Sequence, residues 1–402
     1  MVAVVVSAPS VVSIPALPVS TSGPHAVSIS FATASAVPAT APEPATAPGT
    51  VTLPGTATMP GTVTEVSALP GEVQVSAAGA SYAMTYRSRG PRGPMLSSGA
   101  VYLPSGDPPA GGWPVVAYAH GSVGIADKCA FTTIRRDYYL DTVYPTLLGA
   151  GYAVVISDYV GLGTPGTHPY LDGPSQAHSV IDGVRAARAQ TPELGARWAV
   201  LGQSQGGQAA LFAANIAPTD APELDFRGAA ATGPPSNLDL LAPLLGPWVP
   251  RLPLRVTTAY VAMILAGVRA TAPELDVNRY LTPTGRRVLD IVENVCVTEA
   301  DPLVREVAIG EMLTGPLDDP AFTEVVSAML RIPTTGYLMP LFIGQGLADA
   351  EVPAPLSAKL IADLALGGAD LQVRVYPGDH LGAARAALPE AVAFLHRVLD
   401  RP

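Results

Sequence analysis

Ser204 stands at the centre of Gly202-Gln203-Ser204-Gln205-Gly206. Before it, Trp198-Ala199-Val200-Leu201 is a short apolar run that reads as a buried strand. After it, residues 208–214 are Ala-rich with helical spacing. A Gly-x-Ser-x-Gly match gains meaning in that strand–turn–helix setting, because the serine must stand on a sharp turn with its hydroxyl clear of the sheet. Gly202 and Gly206 are then positions where a Cβ would strike the neighbouring strand or helix. A helix opening at Ser204 also aims unpaired N–H groups toward any oxyanion formed there. The alternative is a Gly/Ser turn between a strand and a helix with no chemistry.

A serine hydroxyl attacks poorly unless a base takes its proton and a third group orients that base. In this chain order the acid follows the serine and the histidine comes last. His380 lies in Pro377-Gly378-Asp379-His380, a loop just after an apolar strand, where an imidazole reaches over the sheet edge. His396 sits inside a helical pattern and reads as surface or packing. Residues 344–353 offer Asp349 and Glu351 as the acid. Asp349 is favoured for its place in the loop, although it could simply cap the next helix. Asp379 adjoins His380, and such neighbours rarely orient an imidazole. Acyl transfer also needs two N–H donors for the oxyanion. The backbone of Gln205 is expected to give one, and Gly121, in His120-Gly121-Ser122, is preferred over Ser122 for the other. His120 reads as a loop brace. His168 and His178 lack companion ligands, so no metal site is expected, and no Gly-rich phosphate loop implies a cofactor.

The elements that must position these groups alternate. Strand patterns at 83–86 and 99–103 read as an antiparallel pair, followed by strands at 114–119, 153–157, 198–201, 227–232, 338–344 and 371–376. Helical patterns at 138–148, 176–189, 353–366 and 382–399 lie between or after them, which predicts an α/β fold with a mostly parallel sheet. Residues 234–333 break the alternation with helical patterns at 254–269, 286–295, 302–313 and 321–330. They are expected to form a cap or lid over the carboxyl edge of a core made of 66–233 and 334–402, where ligands of open α/β sheets bind. Residues 1–65 are rich in Pro, Ala and Thr, with a Pro-Gly-Thr unit recurring at Pro48, Pro54 and Pro60. They read as an extended tail or linker, with a β-like arm as the alternative.

The totals bound the class. The net charge of −10 and the absence of any basic cluster argue against nucleic acid and anionic membrane surfaces as partners. No apolar stretch approaches the roughly 18 residues of a membrane span. No Lys or Arg precedes Arg87, so the basic segment of an export signal is missing from this start. The two cysteines do not by themselves fix the compartment.

Further stretches carry a resemblance. They are Ser98-Gly99-Ala100-Val101-Tyr102-Leu103-Pro104, Ala119-His120-Gly121-Ser122-Val123-Gly124 with Cys129, and the long Asp158-Tyr159-Val160-Gly161-Leu162-Gly163-Thr164-Pro165-Gly166 run. With the serine elbow, Asp349-Ala350-Glu351-Val352-Pro353 and Gly378-Asp379-His380, they span about residues 70 to 400. On these the sequence resembles the secretory lipase family of α/β-hydrolases. The resemblance implies ester hydrolysis, an inserted helical lid, the triad Ser204, Asp349 and His380, and a bridge between Cys129 and Cys296. Two buried free thiols are the alternative to that bridge. Secretion is implied too, with a cytoplasmic location as the alternative. The reading is therefore a serine lipase or esterase acting on hydrophobic acyl esters, with transient contact at a lipid interface. The same triad could serve an acyltransferase or a peptidase, and a hydrolase-fold binding protein would need none of it. Acyl length and oligomeric state are not legible.

Overall fold

The computed structural model describes residues 51–52, 59–252 and 256–400. Most of the Pro/Thr tract, and the start of the helical pattern at 254, lie outside these residues. Ten strands among the described residues form one sheet: β1 Val51–Thr52, β2 Val63–Ser67, β3 Ala80–Gly90, β4 Gly93–Leu103, β5 Trp113–Ala119, β6 Ala153–Val160, β7 Leu194–Gln203, β8 Asp225–Thr232, β9 Leu341–Gly346 and β10 Leu371–Tyr376. Their spatial order is β1-β2-β3-β4-β6-β5-β7-β8-β9-β10. The strands from β6 to β10 run parallel, and β1 to β4 add an antiparallel flank.

Helices α1 Tyr144–Gly149, α2 Gly173–Gln190, α3 Gln205–Asp220, α9 Ala354–Leu366 and α10 His380–Leu399 accompany the sheet. Between β8 and β9 come α4 Thr257–Thr271, α5 Pro283–Asn294, α6 Val297–Val304, α7 Ile309–Met312 and α8 Pro320–Leu330.

The strand sequences explain the layering. β5 and β6 are buried along their whole length, as expected where both faces of a parallel sheet are covered. Because side chains alternate, Val115 and Ala117 pack with α2, α3 and α9, while Val116 and Tyr118 pack with α1 and α10. A third apolar cluster joins α4, α5 and α8 through Met263, Leu289 and Phe322 and includes Tyr170 and Leu171 from the sheet side.

The structure departs from the sequence reading at several ends. β2 begins inside the stretch read as a tail, on the third Pro-Gly-Thr unit, and pairs with β3. Val51 and Thr52 pair with β2 in turn, so these parts of the tract form a β arm. The strand expected from Leu338 begins at Leu341, after Pro340, which has no N–H to give a ladder. The pattern over 302–313 splits into α6 and α7. The pattern over 138–148 opens with a π-helical turn at Tyr139–Val143 before α1.

Candidate active site

The turn from β7 into α3 holds Ser204 at φ 56° and ψ −122°, a conformation costly for a non-glycine residue. Its neighbours make room for it. A Cβ on Gly202 would lie 2.0 Å from the Gly206 carbonyl oxygen, and one on Gly206 would lie 1.8 Å from that of Ala119. Both obstacles are backbone, so neither can give way cheaply. The Ser204 N–H donates to Thr232 O at 2.8 Å and ties the elbow to the end of β8. Gln205 is the first residue of α3, where an N–H has no carbonyl one turn back to accept it.

β9 delivers Asp349 and the turn after β10 delivers His380. His380 Nδ1 lies 2.7 Å from Asp349 Oδ2, and both side chains are buried. The other carboxylate oxygen, Oδ1, accepts the N–H groups of Glu351 and Val352 at 2.9 and 2.8 Å. Asp349 therefore fixes its own turn and does not cap α9, whose N-cap is Pro353. Burial disfavours the His380 imidazolium. The hydrogen bond and charge of Asp349, with Glu351 and Asp379 behind it, outweigh burial and hold its pKa above the ordinary value. Asp379 caps α10 by accepting from Gly382 N–H at 2.8 Å, and His380 is the first residue of that helix rather than a loop residue.

Ser204 and His380 are not hydrogen-bonded to each other among the described residues. The His380 Nε2 edge instead faces the Gln203 carboxamide nitrogen at 3.1 Å. Gly121 follows β5, and a Cβ there would lie 2.4 Å from Gln203 Oε1. His120 is fully buried, stacks on Phe131 with the tilted ring of Tyr159 also against it, and its Nδ1 donates to Gly121 O at 2.8 Å. That is the bracing role read from sequence. Burial pushes its pKa down to about 4.

Three contributors to the site escaped the sequence reading. Gly233 sits at φ 52°, and a Cβ there would lie 2.8 Å from His380 Cε1; its only signal was Gly-Pro after a strand. Gln345 Nε2 reaches Asp349 Oδ2 at 3.3 Å while its Oε1 accepts from Ser357. Gln203 was visible only as a variable position of the elbow motif.

A cavity of about 240 Å³ opens at Ser204. Ser122, Tyr170, Ala350 and Glu351 line it from the sheet side. Leu241, Leu245, Val261, Ile264, Phe322 and Val326 line it from the 234–333 segment, and its wall is overwhelmingly apolar. Cys129, in the loop after β5, and Cys296, at the N-cap of α6, form a disulfide with Cα atoms 5.4 Å apart. The bridge ties that segment to the sheet. His168 Nδ1 donates to Val160 O, and its Nε2 faces Gln205 Nε2 at 3.1 Å.

The sheet, its flanking helices and a serine elbow at the carboxyl edge define an α/β-hydrolase. The secretory lipase family model matches residues 127–400, more than half of the chain, and the chain belongs to that family. It is thus a carboxylic-ester hydrolase of the lipase/esterase kind. Among solved structures it is similar to Candida antarctica lipase A in its closed state, with a TM-score of 0.72 at 19% identity over 85% of this chain and 83% of that one. It is also similar to the rice cell wall degrading esterase LipA from Xanthomonas oryzae, with a TM-score of 0.68 at 17% identity over 85% of this chain and 99% of that one. At these identities the likeness is one of fold. No curated relative matches the chain by sequence.

Proposed function

We propose that the chain cleaves esters of apolar acyl groups through an acyl-enzyme on Ser204. The observation that carries this is the Asp349–His380 pair, brought by two successive strands to the residue next to Ser204. His380 Nε2 takes the hydroxyl proton as Oγ attacks the ester carbonyl, and Asp349 holds the imidazole in the required tautomer. The N–H groups of Gln205 and Gly121 hold the oxyanion, a contribution of roughly 3–4 kcal/mol for each donor. The imidazolium then gives its proton to the departing alcohol. Water, activated by the same base, releases the acid. The acyl group lies in the apolar cavity under the 234–333 segment, which acts as a lid and meets aggregated lipid transiently. The family's secretory character and the disulfide support a location outside the cell.

Initial rates on p-nitrophenyl esters from acetate to palmitate test this reading. A maximum at medium or long chains is expected, since a short acyl group leaves the cavity partly unfilled. Equal rates at all lengths, or a maximum at acetate, would contradict acyl binding in the cavity.

A further inference from the structure

We propose that Gln203 is a positioning residue for His380, its carboxamide holding the Nε2 edge of the imidazole while Asp349 holds Nδ1. The proposal rests on the triad reading above. Gln203 is 7% exposed and its amide is held from three sides. Its Nε2 lies 3.1 Å from His380 Nε2, and its Oε1 accepts from the Tyr139 hydroxyl at 3.4 Å. Gly121 leaves the space that the amide fills, since any Cβ there would collide with Oε1. Tyr139 is itself fixed: it begins the π-helical turn and packs against Phe131 and Tyr118 with ring centroids 5.0 and 5.6 Å away.

The chemistry of the contact is directional. A carboxamide N–H can donate only to an unprotonated Nε2, so the contact selects the tautomer with its proton on Nδ1, facing Asp349. That tautomer is the one able to take a proton from Ser204. Before transfer, His380 must exchange Gln203 for the serine hydroxyl. Both partners are neutral, so the exchange trades one hydrogen bond for another and leaves no charge unpaired. The other charged or titratable groups facing His380 are Asp349 and Glu351 from the turn after β9 and Asp379 from its own helix. Tyr139 stands behind Gln203.

The test is kcat/KM against pH for the full-length enzyme and its Gln203→Met and Gln203→Glu variants, on one p-nitrophenyl ester, with Ser204→Ala as control. Losing the donor in Gln203→Met removes a bond that favours neutral imidazole, so the acid limb is expected to rise by about half to one pH unit. Gln203→Glu keeps the shape but offers only acceptors and a charge, so its limb rises further and kcat at neutral pH falls more than KM changes. Acid limbs that coincide with wild type in both variants would overturn the proposal and leave Gln203 as packing. Activity surviving in Ser204→Ala would instead defeat the triad reading. In the wild-type enzyme the Gln203 side-chain amide protons are expected to shift together with the His380 imidazole signals on titration. Independent titration of the two would also overturn the proposal, whatever the variants do.

Discussion

His380 Nδ1 and Asp349 Oδ2 lie 2.7 Å apart, although 31 residues separate them in the chain. Two parallel strands with matched ends, β9 and β10, carry them to one edge of the sheet. The pair is what lifts the His380 pKa, and this fixes the sign of a pH effect.

Asp349→Asn removes the negative charge that stabilises the imidazolium. The acid limb of kcat/KM is therefore expected to move to lower pH, and kcat to fall by about 10³–10⁴, the size seen when a serine-hydrolase base loses its orienting carboxylate. Rate measurements between pH 4 and 9 check both. A limb that moves upward would contradict the assigned partner.

Gly206→Ala places a methyl group against the Ala119 and His120 carbonyl oxygens, at 1.8 and 2.8 Å. Backbone cannot rotate aside as a side chain can. A loss of at least about 3 kcal/mol in urea unfolding, or failure to fold, is expected. The Gly315→Ala change, where a Cβ meets nothing within 4 Å, is the control and is expected to stay within about 0.5 kcal/mol.

Replacing Cys129 and Cys296 with serine opens a loop spanning a sequence separation of 167. The chain-entropy model puts the loss at about 5 kcal/mol. Thermal unfolding of the double variant, compared with the wild type without reductant, measures it. Two reactive thiols in the denatured wild type without reductant would contradict the bridge.

Acid lability follows from buried neutral histidines. His120 and His168 are fully buried, and burial lowers each pKa from 6.5 to about 4. The unfolded chain binds these protons first. Their contribution is thus complete above about pH 6.5, shrinks as the pH falls, and is gone below about 4, at roughly 3 kcal/mol each. His380, with its raised pKa, works the other way: its contribution is full below 6.5 and fades as the pH rises through its folded value. Urea midpoints at pH 7 and 4.5 check the net effect, and a higher midpoint at pH 4.5 would contradict it.

The parallel sheet was legible because its central strands β5 and β6 are apolar runs, and β5, β7 and β8 cover the stretches read as strands, β7 starting earlier, at Leu194, and β8 at Asp225. Ser204, Asp349 and His380 were legible as residue types at strand ends in a fixed order. The Asp349–His380 pairing was expected from that order; the contact of His380 Nε2 with Gln203 was not, because hydrogen bonds between distant segments leave no local pattern. Gln203 stayed hidden for a similar reason. Its role depends on Gly121 and Tyr139 from two other segments, and a glutamine beside a serine carries no signature of its own. The β2 arm was only the second choice for its stretch because Pro and Gly weaken strand propensity, yet β3 offers an edge that pairs with it.

The most direct test of the central claim is covalent labelling. The enzyme is treated with an alkyl p-nitrophenyl phosphonate, and the modified peptide is located by mass spectrometry. One phosphonyl group per chain on Ser204, with activity lost in parallel and no label in Ser204→Ala or His380→Ala, is the predicted result. Labelling of another residue, or full activity after Ser204 is blocked, would contradict an acyl-enzyme at this serine.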